Sequence, residues 1–380
     1  MGSFQGDLAP MSAPQLGAAS IEAALQRAGV KGDDVEEVIM GCVLPAGMGQ
    51  APARQAAFGA GVPQSAGCTT INKMCGSGMK AVMLANDLLK AESASVMVAG
   101  GLESMSNTPY LLPKVRDGLR MGHSDVKDHM FLDGLEDAYE PGRLMGSFAE
   151  ETATHYQFTR EAQDAFAIAS VERAQHATKE GIFSSEITPV TVKSRRNETL
   201  IEHDEQPGKA DTDKIPTLRA AFAKDGTVTA ANASSISDGA AAVVMMRLSE
   251  ANQRSLKPMA KILGHASFAH APNWFTTAPV YAIEQLLTKL NWKADDVDLF
   301  EINEAFAVVT MAAMHELAIP HEKVNVYGGA CALGHPVGAS GTRILVTLIN
   351  ALERHDMKTG IASLCIGGGE ATAVAIERLH

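Results

Sequence analysis

The chain has 380 residues, of which 46% are hydrophobic, 20% charged and 5% aromatic, and its formal net charge is −12. That length calls for two or three domains or one large duplicated α/β unit. The acidic balance argues against nucleic acid and anionic membranes as partners, and no apolar run reaches the length of a membrane helix.

The opening stretch, MGSFQGDLAPMSAP, has neither the basic flank nor the apolar core of a secretion signal, so a cytoplasmic location is expected. Cysteines stand at 42, 68, 75, 331 and 365. Their number is odd and no spacing suits zinc, so they read as reduced thiols. A helical run (IEAALQRAG), the turn KGDDV and a strand (VEEVIMGCV) follow the opening stretch. Then comes INKMCGSGMK, residues 71–80, where Cys75 lies between a β-like run and a helix predicted over Met79–Ala91. A thiol near a helix N-terminus feels the positive end of the macrodipole, which lowers its pKa. Gly76 and Gly78 read as room for a substrate, and Ser77 as a cap. A buried cysteine beside a Gly-rich turn fits these residues equally well.

The next strand, SVMVAGG, leads into a polar, loop-rich stretch. Beyond it the chain repeats itself. KADDV at 293–297 matches KGDDV at 31–35, an offset of 262. SGTRILVTLINALE matches SGMKAVMLANDLLK, setting Ser340 against Ser77 at an offset of 263. SLCIGGG matches SVMVAGG, setting Gly367 against Gly100 at 267. EATAVAIERL matches GAAAVVMMRL, setting Ala371 against Ala240 at only 131. Two copies of one α/β fold are therefore predicted, the first holding an insertion of 136 residues between about Gly101 and Gly239. The second copy opens with a strand, MAKILGHASFA, whose counterpart would begin before Met1. Either the chain begins late or the two copies differ there.

Other polar segments fall at strand and helix ends, where ligands collect in layered α/β folds. His335, in GGACALGHPVGASG, precedes the second copy's counterpart of the Cys75 helix. The two helix starts are expected to face each other, and a histidine beside a cysteine activates it. A turn histidine bonded to a carbonyl is the plainer reading. Cys365 ends a strand before three glycines whose N–H groups are free to face an oxyanion, or it is a small core residue. In EINEAFA, Asn303, Glu301 and Glu304 end a strand, where a side chain could orient a water; Asn303 as a helix cap competes strongly. In the insertion Lys193, Arg195, Arg196, Lys209, Lys214, Arg219 and Lys224 read either as a solvated face or as a site for a phosphate-bearing tail.

NKMCGSGMKA, INEAFA, GGACALGHPVGASG, CIGGGEATA and GTVTAANASSISDGAA together resemble the thiolases, from about Pro10 to the C-terminus. The resemblance implies a duplicated five-layered α-β-α-β-α fold. Its halves would be 1–104 plus 237–257 and 258–380, with a CoA-binding loop domain at 105–236. It implies that Cys75 carries the acyl group, that His335 takes the Cys75 proton, and that Cys365 works on the α-proton. Asn303 would hold a water in one oxyanion site, and the N–H groups of Cys75 and Gly367 would form the other. Ser234, Met145 and Phe306 would line the substrate channel, with Arg219 near the CoA phosphates. The implied reaction interconverts two acetyl-CoA with acetoacetyl-CoA and CoA, without further cofactor or metal, in a homotetramer. A broader 3-ketoacyl-CoA thiolase is the nearest alternative. A condensing enzyme acting on carrier-protein-bound malonyl groups fits less well, because of the second cysteine. A non-catalytic acyl-CoA binder would not need all these segments. Three positions depart from the family pattern: Leu144 where many short-chain members have His, Tyr327 where Asn is common, and Glu370 where small or apolar residues are usual.

Overall fold

The computed structural model describes residues 1–193 and 197–380. In the first half β1 (Gly2–Ser3), α1 (Ala13–Ala28), β2 (Glu37–Gly41), α2 (Pro52–Gly59), β3 (Gly67–Ile71), α3 (Ser77–Lys90) and β4 (Val96–Ser104) precede the insertion. The insertion holds two short hairpins, β5 (Tyr110–Leu111) with β6 (Lys127–Asp128) and β7 (Val190–Lys193) with β8 (Glu198–Ile201). Between and after them lie α4 (Met145–Tyr156), α5 (Arg160–Lys179) and α6 (Glu205–Lys209). The chain returns to the first half with β9 (Ser237–Met246) and α7 (Leu248–Gln253). The second half is β10 (Ala260–Ala269), α8 (Ala278–Leu290), β11 (Leu299–Ile302), α9 (Ala307–Glu316), α10 (Ala330–Leu333), α11 (Ser340–Arg354), β12 (Thr359–Ile366) and β13 (Glu370–Arg378).

The two main sheets run β1-β9-β4-β2-β3 and β10-β13-β12-β11. In each, one parallel pair adjoins antiparallel partners: β2 with β4 and then β9, β11 with β12 and then β13. Helices cover both faces, so the strands are apolar on both sides. On β2, Val38 and Met40 pack outward beneath α1 and α2, while Ile39 joins the central core around α3 and α11. On β12, Ile361 faces the α8 side, while Ala362 and Leu364 face the centre. The order α1/α2, sheet, α3/α11, sheet, α8 is the expected five-layer duplication.

Sheet register corrects one sequence match. Glu37 pairs with Met97, and Leu299 with Gly360. With Glu37 set on Leu299 at the offset of 262, Met97 falls on Gly360 at 263. SVMVAGG and SLCIGGG are therefore matched four residues out of register. The counterpart of Cys365 is Leu102 rather than Val98, and the insertion is 132 residues rather than 136. Glycine-rich strand ends look alike at several registers, and the hydrogen-bonded ladder decides among them.

The opening strand also differs between halves. β10 pairs with β13 from Ala260 to Ala269, whereas β1 meets β9 only through Gly2 and Ser3. A cavity of about 660 Å³ runs along the rest of β9, lined by Ala240, Ala242, Val244, Leu16 and Arg343 among others. Cys75, Asn303, His335 and Cys365 do not line it.

At the centre, α3 and α11 meet at their first turns. A Cβ on Gly341 would lie 2.4 Å from the Met79 nitrogen, and one on Gly78 2.9 Å from Thr342 Oγ1. These glycines correspond to each other at the offset of 263, so the contact is nearly symmetric. Within a helix, Gly to Ala ordinarily gains roughly 0.5–1 kcal/mol. Here overpacking against backbone opposes it, at about 1–3 kcal/mol. Gly341→Ala is expected to destabilise the protein, read as a lower urea midpoint; a raised midpoint would show that the helices can part freely.

Candidate active site

The site begins with a strained turn. Met74 has φ 47°, a left-handed conformation in a non-glycine residue, which costs on the order of 1 kcal/mol or more. Side chains hold it in place. Asn72 Oδ1 accepts from the Met74 N–H at 2.8 Å, and Asn72 Nδ2 donates to the Val43 carbonyl at 3.3 Å. Ser77 Oγ accepts from the Lys73 N–H at 2.8 Å and donates to the Met74 carbonyl at 2.6 Å. Ser77 is thus not a cap: Gly76 holds the N-cap position without a side-chain bond, and Ser77 secures the turn. Cys75 follows Met74, one residue before the cap.

The glycines after Cys75 do not make room for a substrate. A Cβ on Gly76 would strike Ile366 Cδ1 at 2.4 Å, and Gly78 serves the helix contact. Open space lies instead at the CIGGG turn, where a Cβ on Gly368 would meet nothing within 4 Å. Gly368 and Gly369 have φ 94° and 90°, so this turn needs its glycines.

Two N–H groups converge on the Cys75 thiol, its own and that of Gly367. Both favour the thiolate. Burial outweighs them and pushes the thiol up to about 11, with the Glu103 carboxylate adding slightly in the same direction. The expected lowering by the helix terminus is therefore reversed: desolvation of the anion is the larger effect. Cys365, fully buried among Ala305, Phe306 and Phe148, is held well above the usual thiol range by burial and by the nearby Cys75. At rest both sulfurs carry protons.

His335 carries a free ring lone pair. Burial lowers its pKa to about 3, and the Arg343 charge adds to this, so the ring is neutral. Nδ1 lies 2.6 Å from Ser340 Oγ, whose hydroxyl donates to the Pro336 carbonyl at 3.0 Å. Ser340 must then accept from Nδ1–H, which leaves the lone pair on Nε2. Nε2 is buried and without a protein partner among the described residues, as is Asn303 Oδ1. Asn303 Nδ2 approaches His335 Nδ1 at 3.5 Å. The helix after EINEAFA starts at Ala307 with Phe306 at its cap, so Asn303 does not cap it. Glu304 is fully engaged, whereas Glu301 keeps Oε1 without a hydrogen-bond partner among the described residues. Glu304 accepts from Ser170 at 2.7 Å, Asn325 at 2.8 Å and the Cys331 N–H at 3.0 Å, and Glu301 lies 3.6 Å from Arg343.

Two residues that the sequence did not mark as part of the site hold it together. Ser340 sets the His335 tautomer. Glu103 is fully buried at the end of β4 and accepts from the N–H groups of Val43, Leu44 and Gly338 at 2.9–3.1 Å. It ties the loop after β2 to the His335 loop of the other half. Burial raises its carboxyl to about 7 despite those donors. An acid at the end of an apolar strand, in GGLES, was the available signal.

Met145 opens α4 with its sulfur 3.5 Å from the Cβ position of Gly367. Phe306 packs edge-on against Phe222 and Phe275. Ser234 donates its N–H to the Ala305 carbonyl at 2.9 Å, beside Phe306. These three surround the Cys365 side of the site. Arg219 and Lys224 are exposed on the insertion. Lys193, Lys209 and Lys214 pair with Glu198, Glu205 and Asp211, which fits a solvated face. Arg195 and Arg196 lie outside the described residues.

A thiol held near 11 is only about one part in ten thousand thiolate at pH 7. Iodoacetamide is therefore expected to modify Cys75 slowly at pH 7, at a rate still climbing tenfold per unit at pH 9. Peptide mass spectrometry would check this; a plateau near pH 8 would contradict it.

Family profiles match the chain at both ends: the thiolase N-terminal domain over residues 1–249 and the thiolase C-terminal domain over 256–378. An acetyl-CoA acetyltransferase of Cupriavidus necator is 50% identical over 380 residues, covering 100% of this chain and 96% of that protein. One from Schizosaccharomyces pombe is 46% identical, again over 100% of this chain and 96% of the relative. The crystal structure of the Bacillus anthracis acetyl-CoA acetyltransferase superposes with a TM-score of 0.96 at 40% identity, covering 100% of this chain and 96% of that one. A thiolase from Ascaris suum in complex with coenzyme A gives 0.93 at 42% identity, covering 100% and 97%.

Proposed function

The chain belongs to the thiolase family, and we propose that it is an acetyl-CoA acetyltransferase, joining two acetyl-CoA into acetoacetyl-CoA and CoA and running the reverse cleavage. One observation carries the reading beyond the family. A neutral histidine with a buried, free Nε2 stands in the loop whose Val337 shares an apolar cluster with Cys75, and the Cys75 thiol lies near Cys365 and takes two convergent N–H groups.

Nε2 of His335 takes the proton of Cys75, and the thiolate attacks the thioester carbon of the first acetyl-CoA. The oxyanion forms against the N–H groups of Cys75 and Gly367. Such donors, fixed in advance, are worth about 3–4 kcal/mol each in related chemistry. The leaving CoA thiolate takes the proton of Cys365. This leaves an acetylated Cys75, a cationic His335 and a thiolate at Cys365. That thiolate removes a proton from the methyl of the second acetyl-CoA. Its burial, which makes it a strong base, suits so weak a carbon acid. The enolate oxygen is met by His335 and by a water on Asn303. The carbanion attacks the acetyl group, Cys75 departs as a thiolate, and His335 returns its proton. Every proton ends where it began except the one carried away by CoA, which the α-carbon replaces on Cys365.

Phe306, Ser234 and Met145 are proposed to line the pantetheine path, and Arg219 to meet the CoA phosphates. No helix of the described residues is long and apolar enough to cross a membrane. Because the mechanism needs two reduced thiols, a cytoplasmic setting fits it. A homotetramer is supported by two surfaces: the unpaired outer edge of β3, and the arm bearing exposed Tyr110, Val115, Met121 and Val126.

Cys75→Ser is expected to cut thiolysis of acetoacetyl-CoA at least a thousandfold. Cys365→Ala should still become labelled by acetyl-CoA at Cys75 while losing condensation. Full activity in either variant contradicts the mechanism. Cleavage is expected to fall as the 3-ketoacyl chain lengthens beyond four carbons; equal or faster cleavage of long chains would favour the broader 3-ketoacyl-CoA thiolase instead.

A further inference from the structure

Glu370 departs from the family pattern, and the structure gives it a partner. Its carboxylate forms an ion pair with the ammonium of Lys73. Lys73 lies two residues before Cys75, and Glu370 lies three residues after Gly367. The pair therefore bridges the two loops that supply the convergent N–H groups. Between the same loops, Ile366 fills the space at Gly76, and the Met74 methyl lies 3.9 Å from the Cβ position of Gly367. On its far side the glycine turn is anchored, since the His270 N–H donates to the Gly369 carbonyl at 2.8 Å. A Cβ on Gly369 would also lie 2.3 Å from the His270 carbonyl. The near side faces the open space at Gly368. Apart from the Gly367 contact with the thiol, the ion pair is the polar tie there among the described residues.

We propose that Lys73 and Glu370 are positioning residues that set the distance between the Cys75 and Gly367 N–H groups, and so tune the site where the oxyanion forms. The inference rests on the acyl-transfer reading for its kinetic consequence, but not for its geometric one. The Lys73 backbone is already fixed to Ser77, so its side chain acts from a rigid base. Both side chains are half-buried, and a pair so placed adds little to global stability. Its effect falls on the local spacing of two donors, and misplacing a catalytic group by a fraction of an ångström is costly.

The test uses Lys73→Met, Glu370→Ala, the double variant and the exchange Lys73→Glu/Glu370→Lys, with two readouts. The first is the pH profile of Cys75 alkylation, which needs no turnover. Removing a cation raises a neighbouring thiol's pKa, and removing an anion lowers it. A simple field effect therefore moves the two single variants in opposite directions. Positioning predicts that both move up, because each loosens the Gly367 N–H from the sulfur, and that the exchange variant returns toward the parent. The second readout is thiolysis of acetoacetyl-CoA. Each single variant should lower kcat by up to about fivefold, in line with a partly exposed pair, with KM within twofold. The double variant should be no worse than the singles. Opposite shifts, or an unchanged alkylation profile, overturn the proposal. Loss confined to KM, or multiplicative losses in the double variant, overturn it as well. If the parent protein shows no thiolysis, the acyltransferase reading fails, and the alkylation profile still decides the clamp.

Discussion

Everything in this site depends on the head-to-head contact of α3 and α11. The contact needs a side-chain-free residue on each helix, supplied by Gly78 and Gly341. It brings the turn before α3 and the turn before α11 together in the middle of the molecule. One turn carries Cys75 and the other His335. Both helices are sandwiched between sheets, so neither can slide without disturbing the core formed by Met79, Val82, Met83, Ile344, Leu345 and Leu348. The geometry of the site is thus inherited from the best-packed part of the fold.

That placement has an electrostatic consequence. Buried between layers, the reactive groups are stable only in their neutral forms. Desolvation raises both thiols and lowers the histidine, and in each case it outranks the nearby donors and charges. A neutral resting site avoids the several kcal/mol of burying a permanent ion pair. In the proposed mechanism, charge appears only when a proton crosses from Cys75 to His335, at the moment the substrate can use it. Two buried carboxylates are spent on structural bonds: Glu103 on three backbone N–H groups, Glu304 on Ser170, Asn325 and Cys331.

Much of this was legible in the sequence, because duplication is a long-range signal carried by local patterns. The matches of KGDDV with KADDV and of Ser77 with Ser340 gave the correct offset and the facing helices. Cys75, His335, Cys365 and Asn303 each had a plain structural reading as well, and it was the family resemblance of the motifs around them that set them apart. What escaped depends on three-dimensional neighbours. Gly76 and Gly78 looked like space for a ligand, and they are space for Ile366 and for a helix. The Cys75 pKa moved against the helix dipole because burial depth is not written in a ten-residue window. Glu103 acts on backbone groups 59 to 235 residues away, and Ser340 on a ring whose tautomer only the network fixes. The register of the glycine-rich strands needed the hydrogen-bonded ladder.

The corrected register also shows how one frame was divided into two roles. At the offset of 263, Asn72 corresponds to His335, Cys75 to Gly338, and Glu103 to Ile366. In the second half, the Gly338 N–H is bound by Glu103 of the first. In the first half, the equivalent position is Cys75, and its neighbour Gly76 is covered by Ile366 of the second. A carboxylate beside Cys75 in place of Ile366 would repel the thiolate and the oxyanion that follows it, so the apolar choice belongs on that side. A carboxylate beside Gly338 meets a backbone donor and acts on the Cys75 thiol only slightly, so it is tolerated there and fixes the His335 loop. Asn72 likewise spends its amide on the Met74 turn, while His335 at the equivalent position keeps Nε2 free. Two corresponding turns therefore differ at the positions where the proposed mechanism asks one to hold a nucleophile and the other a base. Opposite demands on neighbouring charge are the physical reason the symmetry is broken there and kept elsewhere.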